Sequence, residues 1–336
     1  MVVGAGSARA EDEAPLVTDV VYAKEVRLVE VEPGRRLNLH CLGQGSTTVV
    51  FESGAGGGMT AWSPVHKDIA AHTRACAYDR AGRNFSDPSP HPSTSANIAA
   101  DLHRLMAAAG EKPPYVLVGH SLGGLAVRSY ADAYPEEVAG LVLVDPMHED
   151  QSELYRALDP AKASREAWEQ QREPRFARIR ACRDAAAAGF TKDTEVYKTC
   201  SIGEPDPLYS AEINAAYMQL EVKPAYWQGF LSEHENAFTA SADEVRASRH
   251  SYGALPLVVL TRAPAPRGAK ETQAVRDERN AVWVRMHQDI VRLSSRGEHR
   301  VIADSSHAIQ FDQPAAVVKA VLDVVRMAQP RDGTEP

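Results

Sequence analysis

A strand-like run that stops at a glycine-flanked serine constrains this chain more than any other feature. Residues 115–118 read Tyr-Val-Leu-Val, and a helical apolar pattern begins directly after Ser121. The sequence Gly119-His-Ser121-Leu-Gly123 between them fits G-x-S-x-G, a strained strand-to-helix turn that holds a serine hydroxyl outward. A Cβ atom at either glycine is expected to clash where strand and helix pass the serine. The motif therefore predicts a nucleophilic serine, rather than a serine that only caps a helix.

Composition excludes several classes of partner. The chain has 336 residues, of which 44% are hydrophobic and 24% charged, which is typical of a globular protein. Its formal net charge of −8 comes without a Lys/Arg-rich patch or helix, so neither nucleic acid nor an anionic membrane is an expected partner. No apolar run approaches the roughly 20 residues that a membrane span needs. A small-molecule substrate is the expected partner, and the sequence leaves the oligomeric state open.

The first residues bear on the compartment. Residues 1–15 are predicted to be disordered or the remnant of a signal peptide, because Ala8-Arg9-Ala10 before acidic residues resembles a cleavage site. Periplasmic or secreted localisation is the first hypothesis, and a cytoplasmic one is the alternative.

The four cysteines bear on the same question. Cys41 and Cys76 fall in strand-like runs and are interpreted as buried thiols. Cys182 and Cys200 lie in a polar region and are predicted to form a disulfide, which would agree with an oxidising compartment.

The order of strands and helices predicts the domain organisation. Apolar strands alternate with helices over residues 16–147 and again over 253–330, which indicates a mostly parallel, doubly wound sheet covered on both faces. Residues 148–252 are polar, helix-prone and scattered with aromatics, and are predicted to be a helical cap inserted after the strand that ends near Asp145.

Five stretches together resemble the α/β-hydrolase superfamily, over roughly residues 35–330. They are the serine turn at 119–124, Ser53-Gly-Ala-Gly-Gly57, Tyr78-Asp-Arg-Ala-Gly82, Leu141-Val-Leu-Val-Asp-Pro146 and Asp304-Ser-Ser-His307. Within that superfamily the chain is most similar to small bacterial serine esterase-like hydrolases. The resemblance implies the α/β-hydrolase fold with a helical cap, a serine nucleophile and no cofactor.

The resemblance also implies a base and an acid, in the chain order Ser, acid, His. His307 is the predicted base, since it lies on the loop after the last strand, whereas His287 sits in a helical pattern and His299 begins a strand. The strand at 257–260 is followed by no carboxylate where many relatives place the acid. Asp145 is therefore the predicted acid, with Asp150 and Asp277 in reserve.

Two backbone N–H groups are needed to stabilise the oxyanion of an acyl-transfer reaction. Leu122, directly after the nucleophile, is expected to supply one. Ala55, in the glycine-rich loop after the strand at 49–51, is expected to supply the other. A phosphate-binding role for that loop is disfavoured because no Gly-Lys-Ser/Thr follows it.

Other polar residues carry weaker signals. Tyr115 and His120 beside the serine are interpreted as packing residues. The runs His148-Glu-Asp150 and His234-Glu235 lack the spacing of a metal site and are interpreted as solvated.

These features together predict a serine hydrolase acting on carboxylic esters through Ser121, His307 and Asp145. A serine where epoxide hydrolases and dehalogenases of this fold carry aspartate argues against those two chemistries. Lactonase, amidase or peptidase activity, acyl transfer to an alcohol, and a non-catalytic binding protein remain alternatives.

Overall fold

A single mixed sheet forms the centre of the molecule. The computed structural model describes residues 14–158, 164–269 and 271–329, and within them the sheet has eight strands in the order β1-β2-β4-β3-β5-β6-β7-β8. The strands are β1 (Leu28–Glu32), β2 (Arg35–Leu42), β3 (Thr48–Glu52), β4 (Arg74–Tyr78), β5 (Tyr115–His120), β6 (Val138–Val144), β7 (Leu257–Thr261) and β8 (Gly297–Val301). β2 pairs antiparallel with both β1 and β4, and all other neighbours are parallel. The predicted mostly parallel α/β-hydrolase sheet is confirmed.

Helices cover both faces of the sheet. They are α1 (Ser63–Ala70), α2 (Ser95–Ala109), α3 (Leu122–Ala133), α10 (Gln273–Val291), α11 (Ile309–Asp312) and α12 (Pro314–Ala328). Successive side chains of a strand point to opposite faces, so Val116 and Val118 pack in one apolar cluster and Tyr115 and Leu117 in the other. Burial of the central strands on both sides explains their continuous apolar sequence.

Six further helices lie between β6 and β7. They are α4 (Gln151–Arg156), α5 (Arg165–Ala188), α6 (Glu195–Thr199), α7 (Ala211–Glu221), α8 (Pro224–Asn236) and α9 (Ala240–Ser248), counted over the described part of that segment. α5 and α8 share an apolar cluster of their own that includes Ile179 and Trp227. None of the helices in the described residues combines the length and the apolar character that crossing a membrane requires. The boundaries 148–252 for a cap remain a prediction.

Residues 20–32 alternate apolar and polar side chains, a pattern that predicts one continuous strand, but only the second half forms it. Residues Val20–Ala23 form a 3-10 helix, and β1 begins only at Leu28. The Asp19 carboxylate accepts a hydrogen bond from the Val21 N–H, which stabilises the turn in place of a ladder bond. The prediction for residues 1–13 lies outside the described residues.

The interpretation of Cys41 and Cys76 as thiols is wrong. They are directly opposite in the antiparallel pair of β2 and β4 and form a disulfide. This pairing depends on which strands are neighbours, and the chain order does not reveal it. Cys182 and Cys200 form the predicted disulfide, which links α5 to the residue after α6.

Two residues interpreted as solvated are in fact buried. Glu149 is 1% exposed and receives two hydrogen bonds, of 2.6 and 2.9 Å, from the guanidinium of Arg128 on α3. His148 is also buried, and its Nε2 lies 3.1 Å from an Asp289 carboxylate oxygen. A charged side chain can be buried when it is paired with an opposite charge. The sequence does not show that Arg128 on α3 is the partner of Glu149.

Glu149→Gln is expected to lower the free energy of unfolding by about 3–5 kcal/mol at pH 7, because the buried Arg128 guanidinium loses its counter-charge. Burial raises the pKa of Glu149, but hydrogen bonds and charge from Arg128 outweigh this and hold the pKa well below its usual value. The carboxylate therefore stabilises the fold above its ordinary pKa of 4.5, and that contribution is lost as the pH falls.

Urea unfolding at pH 7 and at lower pH measures this effect. The difference between wild type and variant should shrink as the pH falls below 4.5. Glu153→Gln, at an exposed position on α4, is the matched control and should change little. Equal effects of the two substitutions would contradict the prediction.

Candidate active site

The serine turn joins β5 to α3 with a strained backbone. Ser121 has φ 52° and ψ −118°, in a region that residues with a side chain seldom adopt. A Cβ on Gly119 would lie 2.5 Å from the Gly123 carbonyl oxygen, and one on Gly123 would collide with the Glu52 carbonyl oxygen. The close approach inferred for these two glycines is therefore present in the fold.

The turn is also attached to the segment that follows β6. The Ser121 N–H donates to the Val144 carbonyl at 3.2 Å, and the Ser121 carbonyl accepts from the Met147 N–H at 2.9 Å. These bonds bring the strand end that carries Asp145 beside the serine turn.

Asp145 and His307 form a hydrogen-bonded pair. His307 Nδ1 lies 2.6 Å from Asp145 Oδ2, with the carboxylate fully buried and the imidazole partly exposed. The reserve candidates lie elsewhere, since Asp150 contacts Arg246 and Asp277 contacts Arg276. Of the three carboxylates considered, Asp145 is the one hydrogen-bonded to His307.

The other oxygen of Asp145 is held by two donors that sequence reasoning missed. Trp283 Nε1–H donates to Oδ1 at 2.7 Å, and the Arg262 N–H donates at 3.1 Å. Burial raises the pKa of Asp145, but the hydrogen bond to His307 and the nearby positive groups outweigh it and lower the pKa below its usual value. The carboxylate is thus kept ionised and oriented toward His307. The sequence did not point to Trp283, because it lies on α10, 138 residues after Asp145 in the chain.

His120 supports the loop that carries His307. Its Nε2–H donates to the His307 backbone carbonyl at 2.8 Å, and burial lowers the pKa of His120 to about 3. A neutral imidazole here adds no charge beside His307. A Cβ on Gly54 would lie 2.8 Å from His120 Nδ1, so the ring also packs against the glycine-rich loop.

The glycine-rich loop passes directly over Ser121. A Cβ on Gly54 would lie 3.2 Å from Ser121 Cβ, and the Gly57 N–H closes a turn onto the Gly54 carbonyl at 3.1 Å. Within the described residues, neither the Ala55 nor the Leu122 N–H has a hydrogen-bond acceptor. Leu122 is the first residue of α3, where N–H groups have no partner within the helix.

A buried ionic cluster lies beneath this loop, and sequence reasoning missed it. The Arg80 guanidinium donates to Glu52, to the Ser53 and Gly54 carbonyls and to Glu233, at distances of 2.6–2.8 Å. Arg80 lies in the Tyr78–Gly82 stretch, which was noted only as a family motif. Its partner Glu233 comes from α8, far along the chain, and no pattern in the sequence links the two.

Apolar side chains surround the N-terminus of α3. Leu122, Ile98, Met147 and Val245 form one buried cluster, and Ala55 and Phe238 pack against it. These contacts pack the start of α3, with the Leu122 N–H, against apolar side chains.

One cluster of the described residues has the donor atoms for a metal ion. Cys41, Cys76 and Glu111 bring ligand atoms within 4.8 Å of one another. The two sulfurs are bonded to each other, so they are not available as thiolate ligands.

Comparison with known proteins agrees with this architecture. Residues 47–314 match the family model described as the alpha/beta hydrolase fold. The chain belongs to that family.

Individual relatives are more distant. The uncharacterized protein YqjL of Bacillus subtilis is 26% identical over 285 residues, which covers 85% of this chain and 86% of YqjL. Among solved structures, the epoxide hydrolase CorEH matches with a TM-score of 0.61 and 13% identity over 90% of this chain and 98% of CorEH. A thermophilic esterase from Thermogutta terrifontis matches with a TM-score of 0.56 and 19% identity. The match covers 91% of this chain and 100% of the esterase. At such identities the structural matches show the fold alone.

Proposed function

We propose that this protein is a serine hydrolase that cleaves carboxylic esters through an acyl-enzyme intermediate. The observation that carries the proposal is the Asp145–His307 hydrogen bond beside the strained turn of Ser121. Over the part of the chain that the structure describes, the N–H groups of Ala55 and Leu122 near the serine turn have no acceptor, which supports the proposal. Serine at the elbow, where epoxide hydrolases of this fold carry aspartate, favours ester cleavage over epoxide opening.

In the proposed mechanism, the Ser121 hydroxyl attacks the ester carbonyl while His307 Nε2 takes its proton. The carbonyl oxygen becomes negative and accepts hydrogen bonds from the Ala55 and Leu122 N–H groups. The C–O bond to the alcohol then breaks, and His307 returns the proton to the leaving oxygen. His307 then deprotonates a water molecule that attacks the acyl carbon, the bond from that carbon to Ser121 Oγ breaks, and His307 returns the proton to Oγ as the acid leaves. Asp145 stabilises the imidazolium in both halves of the reaction.

Hydrolysis of p-nitrophenyl esters of increasing acyl length by the purified protein tests this proposal. Turnover together with covalent labelling of Ser121 by a fluorophosphonate is expected, and the preferred chain length would give the size of the acyl site. An added alcohol that diverts product from free acid to a new ester would favour an acyltransferase instead. Absence of both turnover and labelling would favour a non-catalytic binding protein.

We also propose that the protein works in an oxidising compartment, the periplasm or outside the cell. The two disulfides support this, because such bonds seldom persist in a reducing cytosol. Protein isolated from its source cells under thiol-blocking conditions should show no free thiol after denaturation, and four after reduction. Recovery of four blocked thiols without reduction, in the cytosolic fraction, would overturn the proposal.

A further inference from the structure

One buried carboxylate connects the helices between β6 and β7 to the loop over the nucleophile. Glu233 on α8 is 1% exposed, and its Oε2 accepts a hydrogen bond of 2.5 Å from the Gly56 N–H. Its Oε1 accepts from Arg80 Nε–H at 2.8 Å. The same Arg80 guanidinium donates to the carbonyls of Ser53 and Gly54. Glu233 and Arg80 thus hold the three consecutive peptide units that join residues 53 to 56.

The contacts fall on both sides of the candidate oxyanion donor. The Gly54 carbonyl belongs to the same planar peptide unit as the Ala55 N–H, and the Gly56 N–H belongs to the next unit, so fixing both restricts the direction of the Ala55 N–H. Gly56 has φ +78°, and because glycine has no Cβ its peptide units can rotate more freely than those of other residues unless hydrogen bonds hold them. The Arg83 guanidinium also donates to the Gly56 carbonyl and, at 3.1 Å, to the Tyr226 carbonyl on α8.

The cluster is balanced in charge and takes no part in the proposed proton transfers. Glu52 and Glu233 offset Arg80 and Arg83, and the Tyr78 hydroxyl donates to Glu52. Burial raises the pKa of Glu233, but the two arginines and the hydrogen bonds outweigh this and lower it. α8 approaches closely because Gly229 packs on Gly82, where a Cβ would collide with the Gly82 carbonyl oxygen.

We propose that Glu233 is a positioning residue for the oxyanion hole. By presenting one carboxylate to both Arg80 and the Gly56 N–H, α8 sets the loop conformation in which the Ala55 N–H faces the substrate carbonyl. The inference rests on the proposed function, because it assigns the loop the task of stabilising an oxyanion. It adds that the segment between β6 and β7 completes the catalytic site as well as covering it.

Glu233→Gln tests this inference. The amide keeps the size of the side chain, but its NH2 group faces either Arg80 or the Gly56 N–H, where an acceptor is needed. We expect kcat per fluorophosphonate-titrated serine to fall about tenfold to a hundredfold, with KM changed less than about threefold, because misplacement of one oxyanion donor acts in the transition state. The affinity for a trifluoromethyl ketone, whose adduct carries an oxyanion, should fall in parallel with kcat.

Two further variants make the result decisive. Glu235→Gln, on the same helix and in a surface ion pair with Arg180, is the matched control and should retain wild-type kcat. Glu233→Asp keeps the charge but shortens the reach, so we expect partial recovery of kcat relative to Glu233→Gln. If the glutamine variant does not fold, the aspartate variant carries the same comparison.

The outcomes separate this inference from the proposed function. Wild-type kcat per titrated serine in both Glu233 variants would overturn the positioning role, even if their melting temperatures fall, and would leave the ester hydrolase intact. Wild-type protein without esterase activity or serine labelling would overturn both.

Discussion

Ser121→Ala is expected to lower kcat for ester hydrolysis by about 10⁴-fold to 10⁶-fold, the range seen when an acyl-transfer enzyme loses its nucleophile. The alanine has no oxygen to form the acyl-enzyme, so only the oxyanion hole and substrate binding can contribute. The fold should tolerate the change, because alanine keeps the Cβ and leaves the backbone strain at φ 52° unaltered. Initial rates with the best p-nitrophenyl ester, together with circular dichroism, measure the effect.

Ser129→Ala is the matched control for this experiment, because it removes a hydroxyl from the same helix α3 away from the serine turn. Its kcat should stay near that of the wild type. A Ser121→Ala variant that keeps more than a small fraction of the activity, and still forms an acyl-enzyme with the ester, would contradict the assignment of the nucleophile.

Asp145→Asn is expected to lower kcat by about 10³-fold to 10⁴-fold, with the fold retained. Trp283 and the Arg262 N–H both donate to one oxygen of Asp145, so the asparagine oxygen stays at that position. Its NH2 group then donates a hydrogen bond to His307 Nδ1, and Nδ1 must lose its own proton to accept that bond. The imidazole proton moves to Nε2, and His307 can no longer take the proton from Ser121. Steady-state kinetics and the rate of fluorophosphonate labelling measure this loss.

Asp150→Asn is the control, since the Asp150 side chain pairs with Arg246 at 2.8 Å and has no hydrogen bond to His307. It should leave kcat unchanged. A large loss of kcat in Asp150→Asn with little loss in Asp145→Asn would move the acid to the reserve position.

Trp283→Phe should have a kcat between those of Asp145→Asn and Asp150→Asn, because one of the two donors that orient the Asp145 carboxylate is removed.

The features predicted from the sequence are those that short stretches encode. A strand buried on both faces is apolar throughout, and a helix repeats its apolar residues every three or four positions, so β5 and α3 can be assigned from a window of a dozen residues. The turn between them needs Gly119 and Gly123 for steric reasons that act within five residues. The mostly parallel sheet that such α/β alternation predicts was confirmed.

Features that depend on contacts between distant elements were missed or mistaken. The Cys41–Cys76 disulfide requires β2 and β4 to be neighbours, although β3 lies between them in the chain. The burial of Glu149 requires Arg128, and the burial of Glu233 requires Arg80. In each case a partner that is distant in the chain decides whether a cysteine is oxidised or a carboxylate is buried, and the sequence does not identify that partner.

The sequence by itself therefore determined the α/β fold, the serine turn and the candidate residues Ser121, His307 and Asp145. Only the tertiary structure decided that Asp145 is the carboxylate bonded to His307, that Trp283 orients it and that Glu233 contacts the glycine-rich loop. The physical reason is that local sterics and hydrophobic periodicity act over a few residues. A hydrogen bond or ion pair exists only when folding brings its two groups to within about 3 Å.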